Sequence, residues 1–320
     1  MSKEIELKMT VLPSAVGDSL SGLLEILGVG EVKETWLANT YFDTPDLLLN
    51  KSRIALRVRE KGGTFIQTLK TAGQSMGGLS RRGEWEWDLS ENKLDATLLT
   101  SDVWPSEIPV ENLVPIFETN FKRVSAIIES SGTNVELAID EGYILAGERR
   151  WPLSELELEI IEGEAGALFG IAAKIAEIMP VMLSDISKAE KGYRLLNSDL
   201  FNRFSYDFDC SGDYQLYIKS LVERNFSYWL YCVGQIGFGS EKVALQDMIS
   251  ALTTLKELVC NYQYVNEAND FKFAGLFDVE ICRLSALLYG CTSGAYDIEM
   301  VLSKESGVLA VGLACWLRNN

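Results

Sequence analysis

The sequence predicts an α+β protein in which a closed antiparallel β-barrel with flanking helices, about 1–200, precedes a smaller all-α region, 201–320. Three observations predict this division. Charged and apolar residues alternate with a period of two in the first part, and the period becomes helical after about 197–212. All six cysteines lie beyond residue 200. A chain of 320 residues is long enough for two domains of ordinary size.

The first predicted strand carries the most informative alternation. Glu4, Glu6 and Lys8 share one face of this strand, whereas Ile5 and Leu7 point the other way. Two adjacent carboxylates repel each other unless a cation lies between them, and carboxylate oxygens suit Mg²⁺ or Mn²⁺. A lysine one step further along could bind an anion held by that metal. On this motif alone, a half-exposed strand with a charged outer face is an equally good interpretation.

The same alternation recurs along the first part of the chain, which favours a functional interpretation. Some strands carry basic residues at alternate positions and others carry acidic ones, namely Arg57, Arg59 and Lys70 against Glu84, Glu86, Asp88, Glu136, Asp140, Glu155, Glu157 and Glu159. If these strands close into a barrel with the apolar faces outward under helices, the lumen contains both charge signs. Unpaired buried charges are costly, so a highly negative ligand with a divalent metal would neutralise this lining. A polyphosphate bound together with Mg²⁺ would meet this requirement.

The remaining elements follow from periodicity and turn residues. Strands are predicted at 3–10, 35–43, 53–60, 64–72, 83–89, 118–129, 133–140, 142–147 and 154–161. Helices are predicted at 14–27, where leucines form a stripe, and at 165–178. The glycine- and serine-rich stretch 73–83 is interpreted as a mobile loop between two charged strands.

In the second part, helices are predicted at 212–235, 241–262, 276–290 and 296–316. Its first stretch is rich in aromatic residues, for which core packing is favoured over a cofactor or base-stacking surface. The region contains 9 Lys and Arg against 14 Asp and Glu, without a basic stripe. An electrostatic footprint for nucleic acid is therefore missing.

Composition excludes several classes of function. The net charge of −17 argues against broad contact with nucleic acid or anionic membranes. The chain has no histidine, which excludes Ser-His-Asp catalysis and His-ligated zinc, and it has no Walker A loop. The cysteines, which form no C-x-x-C pair, are interpreted as buried free thiols. Because neither a signal peptide nor a long apolar run is evident, a cytoplasmic location is expected.

The order and spacing of the motifs resemble a known family. The matching residues are Glu4-x-Glu6-x-Lys8, Tyr41-Phe42-Asp43-Thr44, Leu56-Arg57-Val58-Arg59, Thr68-Leu69-Lys70, Gly78-Leu79 to Arg82-x-Glu84, Glu155 to Glu159, and Ser187-Lys188 to Gly192-Tyr193. Over about 1–197 the chain resembles the CYTH family, the triphosphate tunnel metalloenzymes. It is most similar to bacterial inorganic triphosphatases in which CYTH precedes a helical CHAD domain.

The resemblance implies an eight-stranded antiparallel tunnel that hydrolyses tripolyphosphate to pyrophosphate and phosphate with Mg²⁺ or Mn²⁺. It implies metal ligands at Glu4, Glu6, Asp140, Glu157 and Glu159. It implies phosphate ligands at Lys8, Arg57, Arg59, Lys70, Arg82, Arg123 and Lys188. Glu4, Glu6, Lys8 and Glu159 are expected to be catalytic, and Glu84 and Glu136 match further acidic tunnel positions. The number of metals, the group that activates water and the oligomeric state stay open.

The second part departs from the CHAD pattern, because only about 120 residues remain, and these are acidic on balance and include no histidine. It is interpreted as a shortened CHAD-like region that supports folding or association. Two alternatives to an inorganic triphosphatase stay open. One is another tunnel enzyme, such as a class IV adenylate cyclase or a thiamine or nucleoside triphosphatase. The other is a non-catalytic sensor of triphosphate or polyphosphate. The expected partner is a small anionic substrate, with neither nucleic acid nor membrane.

Overall fold

The structure is a computed structural model that describes residues 2–100, 102–130, 132–197, 204, 213–237, 241–266, 271–290 and 296–319. Its strands are β1 Ser2–Val11, β2 Val32–Asp43, β3 Ala55–Lys61, β4 Thr64–Lys70, β5 Gln74–Met76, β6 Leu79–Leu89, β7 Val114–Ser130, β8 Thr133–Ala146, β9 Arg149–Glu162 and β10 Val181–Leu183. Its helices are α1 Pro13–Ile26, α2 Leu48–Lys51, α3 Gly166–Ile178, α4 Lys188–Leu196, α5 Tyr214–Val233, α6 Glu241–Asn266, α7 Ala274–Gly290, α8 Ile298–Val301 and α9 Lys304–Asn319.

Eight strands close into an antiparallel barrel in the order β1–β9–β8–β7–β2–β3–β4–β6, and β6 pairs back with β1. The two short strands, β5 and β10, pair with β6 and β1 outside this ring. Closure leaves the eight barrel strands without an unpaired edge. The predicted eight-stranded antiparallel barrel is therefore confirmed.

The alternation in β1 separates the two faces of the barrel as predicted. Glu4, Glu6 and Lys8 point into the lumen and are at most 5% exposed, whereas Leu7 and Met9 point outward and are fully buried in the hydrophobic core. Helices α1 and α3 contribute to that outer core. The apolar face thus fixes which side chains enter the lumen, because a shift of one residue would exchange the two faces.

One predicted strand break is wrong. The sequence predicts separate strands at 133–140 and 142–147, but β8 runs without interruption from Thr133 to Ala146. Gly142 lies inside it, opposite Phe121, and a Cβ added there would lie 2.2 Å from the Asn120 carbonyl oxygen. This glycine is needed because the backbone of β7 approaches closely, and it does not end the strand.

The predicted loop at 73–83 is also wrong, since most of it forms a hairpin between β5 and β6. Its two-residue turn is Gly77-Gly78, whose φ angles of 62° and 81° favour glycine and the tight turns typical of hairpins. The Asp185 carboxylate accepts hydrogen bonds from the Ser75 hydroxyl at 2.5 Å and the Gly78 N–H at 3.0 Å. A side chain distant in sequence therefore holds the turn.

The helical region packs against the barrel through a continuous hydrophobic cluster that includes residues of β1, α3, β10, α5, α6 and α9. Phe226 and Trp229 of α5 are buried in this cluster, in agreement with core packing of the aromatic stretch. The predicted helix 296–316 is divided into α8 and α9, with Ser303 and Ser306 bonding across the break. The predicted boundary at 197–212 lies almost wholly outside the described residues.

Two smaller expectations can be compared with the described residues. Among the described cysteines, Cys232 is a buried free thiol as predicted, but Cys260 and Cys282 are free and exposed, so the prediction of burial is wrong for them. Both lie at exposed positions of helices, Cys260 in α6 and Cys282 in α7, where a thiol needs no partner. Among the described helices, none combines the length and apolarity that a membrane crossing requires.

Candidate active site

The barrel encloses a cavity of about 230 Å³ whose lining consists mainly of charged side chains. Its basic side chains are Lys8, Arg57, Arg59, Lys61, Lys70, Arg82, Arg123 and Lys188. Its acidic side chains are Glu4, Glu6, Glu84, Glu86, Glu136, Glu157 and Glu159. Eight cations against seven carboxylates nearly balance, so a multivalent anion alone would leave an excess of negative charge.

The carboxylates of β1 pair with cations from three strands. Glu4 accepts from Lys70 at 2.5 Å and from Arg82 at 2.8 Å, and Glu6 accepts from Lys8 at 3.0 Å and from Arg82 at 3.1 Å. Burial opposes ionisation of Glu4, but Lys70 and Arg82 outweigh it and lower its pKa to about 2. Glu4 therefore stays ionised across the physiological range, within an ion network on this side of the lumen.

A second network surrounds Lys188, the first residue of α4. Lys188 lies 2.7 Å from Asp140 and 2.9 Å from Glu157, and it also pairs with Glu155. Arg123 forms a two-pronged pair with Asp140, with both distances 2.7 Å, and contacts Glu157 at 2.7 Å. Burial would raise the pKa of Glu157, but these cations and Lys8 hold it well below its usual range.

Arg57 and Arg59 on β3 differ from the other lumen cations, because among the described residues neither forms an ion pair with a carboxylate. The Arg57 guanidinium hydrogen-bonds to Tyr41, and Arg59 Nε donates to the Asn39 side chain at 2.7 Å. Burial, then the positive charges of Arg57 and Arg123, lower the pKa of Arg59 to about 9. This part of the lumen therefore has excess positive charge that an anion would relieve.

Glu159 on β9 is the acidic counterpart of these arginines. It forms no ion pair among the described residues, and its strand neighbours in register are Glu6 on β1 and Glu136 on β8. Burial and the carboxylates of Glu4 and Glu6 raise the pKa of Glu159 to about 7. Crowded oxygens of this kind suit a hard divalent cation, which would offset their repulsion.

A different group of carboxylates has oxygens within 4.8 Å of one another, namely Asp140, Glu155 and Glu157. These three are already paired with Arg123, Lys188 and Lys191. The close grouping is therefore accounted for by protein cations.

The structure brings the predicted site residues together. All of them line the one cavity except Asp140, which is fully buried behind the lining and contacts Arg123 and Lys188. The individual roles of metal ligand, phosphate ligand and catalytic group stay predictions. The proximity itself depends on the barrel, which places β1 beside both β6 and β9.

Sequence reasoning missed several residues that hold the site together. Glu155 is fully buried and pairs with Lys188 and Lys191, although its alternation with Glu157 had already placed it on the inner face. Asn39 and Tyr41 bond to the two arginines of β3. Their signal was the period of two in β2, which places Asn39 and Tyr41 on one face; Tyr41 entered the sequence prediction only as part of a family motif, with no contact assigned to it.

A family model described as the CYTH domain matches residues 2–193. A Haemophilus influenzae protein named inorganic triphosphatase is 35% identical over 202 residues, which are 63% of this chain and 57% of that protein. The match therefore spans little more than half of that relative's length.

Two solved structures are also similar. One is a candidate adenylyl cyclase from Hippeastrum, described as having a dominant triphosphatase activity, at 20% identity, TM-score 0.44 and coverage of 61% of this chain and 96% of the other. The other is a candidate adenylate cyclase from Bacillus halodurans, at 26% identity, TM-score 0.38 and coverage of 60% and 98%. At such low scores the overlays add nothing to the assignment. Because the CYTH domain match covers more than half of the chain, the chain belongs to the CYTH family.

Proposed function

We propose that this protein is an inorganic triphosphatase that hydrolyses tripolyphosphate to pyrophosphate and phosphate inside the barrel. The observation that carries the proposal is the pair of arginines on β3, the buried Arg57 and the partly buried Arg59, which face the cavity without a carboxylate partner among the described residues. Each guanidinium offers a fork of N–H donors that matches phosphate oxygens. The 35% identity to a protein named inorganic triphosphatase supports the same substrate class.

The remaining cations would complete the binding of the phosphate chain. Lys8, Lys70 and Arg82 pair with Glu4 and Glu6, so they belong to a different group of charges from Arg57 and Arg59. A linear anion between the two groups would contact donors on both sides. Phosphoryl transfer depends mainly on positioning and on neutralisation of charge, which these side chains would supply for both the transferred group and the leaving group.

The donor set also fits a divalent metal. Burial and the neighbouring carboxylates of Glu4 and Glu6 raise the pKa of Glu159, and the near balance of lumen charges leaves room for an added cation when an anion binds. We infer that Glu4, Glu6 and Glu159 would hold Mg²⁺ or Mn²⁺, with Glu157 and Asp140 as further candidates nearer Lys188. The ion would neutralise phosphate charge and help to orient the substrate.

The test is an assay of purified protein with tripolyphosphate, ATP and thiamine triphosphate, each with Mg²⁺, Mn²⁺ or excess chelator. We expect phosphate release from tripolyphosphate with the highest kcat/KM, and loss of this activity in chelator. Comparable kcat/KM for ATP would remove the preference for the inorganic substrate, and formation of a cyclic nucleotide would indicate a cyclase. Binding of tripolyphosphate without turnover under all metal conditions would indicate a sensor.

A further inference from the structure

Helix α4 determines where one lumen cation lies. It packs on β7, β8 and β9, and its first residue, Lys188, reaches Glu157 in the lumen and Asp140 behind the lining. The Ser187 side chain accepts from the Glu190 N–H at 3.1 Å and so caps the helix. The contacts that hold α4 against the barrel therefore also determine the position of the Lys188 ammonium group.

A buried tyrosine on α4 joins this helix to another part of the chain. The Tyr193 hydroxyl, on a side chain only 3% exposed, donates to Asp43 Oδ2 at 2.7 Å. Burial and the Asp43 carboxylate raise the pKa of Tyr193, so the hydroxyl stays protonated and remains a donor. The same carboxylate accepts from the N–H groups of Thr44 at 2.7 Å, Leu49 at 2.8 Å and Asn50 at 3.0 Å.

These four hydrogen bonds hold the segment that leads into β3. The segment begins at Asp43, passes through the short helix α2 and ends at Ala55, the first residue of β3. Strand β3 carries Arg57 and Arg59 into the lumen. The Asp43–Tyr193 hydrogen bond therefore links the helix that carries Lys188 to the strand that carries the two arginines.

An aromatic contact connects the same two groups a second time. The Phe117 ring packs edge-on against Tyr193, with centroids 5.2 Å apart, and stacks on Tyr41 at 4.6 Å. Tyr41 in turn hydrogen-bonds to Arg57. Gly192 allows this packing, because a Cβ at that position would lie 2.2 Å from the Phe117 ring.

We propose that Tyr193 is a positioning residue that fixes Lys188 relative to Arg57 and Arg59, so that the three cations can bind one triphosphate chain. The inference rests on the function proposed above. Tyr193 is not among the residues that line the cavity containing Arg57, Arg59 and Lys188, and its hydroxyl is bonded to Asp43, so it acts through the cations. Phenylalanine at this position would keep the ring packing on Phe117 and remove only the hydrogen bond to Asp43.

The test measures the Kd of tripolyphosphate by calorimetry in chelator, with KM and kcat measured separately with Mg²⁺. Tyr193→Phe should raise the Kd about 5- to 10-fold, which is less than the full effect of one hydrogen bond to a charged group because the packing on Phe117 remains. KM should rise in parallel, with a smaller change in kcat. Tyr143→Phe is the matched control, because this barrel tyrosine packs against the Arg150 guanidinium at 4.0 Å, away from the lumen. It should leave both constants within about 2-fold.

A double-mutant cycle separates positioning from general stability. In a Lys188→Met background, Tyr193→Phe should change the Kd less than 2-fold, because the group through which Tyr193 acts is gone. If Tyr193→Phe unfolds at too low a temperature for the Kd to be measured, Asp43→Asn, which alters the other partner of the same hydrogen bond, should raise the Kd by a similar factor.

An equal loss of affinity in both backgrounds, or no loss in the wild-type background, would overturn the proposal. Wild-type protein that binds tripolyphosphate without hydrolysing it would overturn the proposed activity alone. Wild-type protein that fails to bind tripolyphosphate would overturn both.

Discussion

At the scale of single residues, the lumen is organised by the pairing of charges. Glu4 and Glu6 are each held by two cations, whereas Arg57 and Arg59 face the cavity without a carboxylate among the described residues. A buried charge that loses its partner is costly, whereas one that already lacks a partner gains from an added ligand. Substitutions on the two sides should therefore have different consequences.

Glu6→Gln should lower kcat for tripolyphosphate by about 100-fold or more, because it removes a proposed metal ligand. It should leave the Kd of tripolyphosphate measured in chelator unchanged, because the cations that bind the anion remain. Arg59→Ala should instead mainly raise KM. Steady-state kinetics at saturating Mg²⁺ and calorimetry measure the two effects. Glu60→Gln, on an exposed outward-facing position of the same barrel, is the control. Near-normal turnover of Glu6→Gln would show that the ligand assignment is wrong.

Stability should fall in acid because the folded state lowers the pKa of Glu4 from 4.5 to about 2. The unfolded chain then binds the proton more tightly, so this contribution is present above about pH 4.5 and is lost as the pH falls towards 2. The loss of stability is measured as the fall in melting temperature, in chelator, between pH 6 and pH 3.

The loss should be shallower in Glu4→Gln, since that variant has no carboxyl group to titrate. It should be unchanged in Glu34→Gln, which removes an exposed pair with Lys122. Equal slopes for wild type and Glu4→Gln would contradict the expectation.

At the scale of elements, α4 matters most because it is short and yet carries a lumen cation. Three contacts hold it in place. The Phe117 ring packs against Gly192, and the Tyr193 hydroxyl donates a hydrogen bond to Asp43. The Arg194 guanidinium donates to the Gly234 carbonyl oxygen at 2.9 Å. The last contact reaches the end of α5 in the helical region. A nine-residue helix has little stability of its own, so these contacts set its position.

Gly192→Ala should displace α4, because the new methyl group would lie 2.2 Å from the Phe117 ring. We expect a loss of about 1–3 kcal/mol of unfolding free energy and a weaker affinity for tripolyphosphate. Urea unfolding and calorimetry measure these. Gly170→Ala in α3 is the matched control, since nothing lies within 4 Å of its added Cβ, and it should be neutral or slightly stabilising. Similar behaviour of the two variants would show that α4 tolerates displacement.

At the scale of the whole molecule, the barrel and the helical region share one hydrophobic cluster. Helix α9 packs on β10, and β10 pairs with the end of β1, the strand that carries Glu4, Glu6 and Lys8. The helices therefore support the strand at the centre of the candidate site. This contact gives the helical region a structural role in the barrel, although none of its described residues places a charge in the lumen.

Gly307→Ala should weaken that contact, because its Cβ would lie 2.5 Å from the Val181 backbone oxygen of β10, which cannot move aside as a side chain could. We expect a loss of about 1–3 kcal/mol in urea unfolding. Gly275→Ala in α7, with nothing within 4 Å, is the control and should not destabilise. A Gly307→Ala variant as stable as Gly275→Ala would show that α9 is not tightly seated on β10.

The sequence by itself determined the inner face of the barrel. Period-two alternation placed Glu4, Glu6 and Lys8 opposite Leu7 and Met9, and the structure has them so, because only one register buries the apolar set. The local sequence pattern gave wrong predictions at Gly142 and at 73–83. Gly142 is needed because a neighbouring backbone comes close, and the glycines of 73–83 form a hairpin turn. Those functions depend on a neighbouring strand, which local sequence does not contain.

Only the tertiary structure decided which charges pair. Lys188 meets Asp140, Glu155 and Glu157 because α4 folds back onto the barrel, and Arg82 meets Glu4 because β6 closes against β1. These contacts join residues between 31 and 78 positions apart. A side-chain pattern specifies the face on which a charge lies, whereas its partner depends on strand order and closure, which arise from burial of the whole apolar surface.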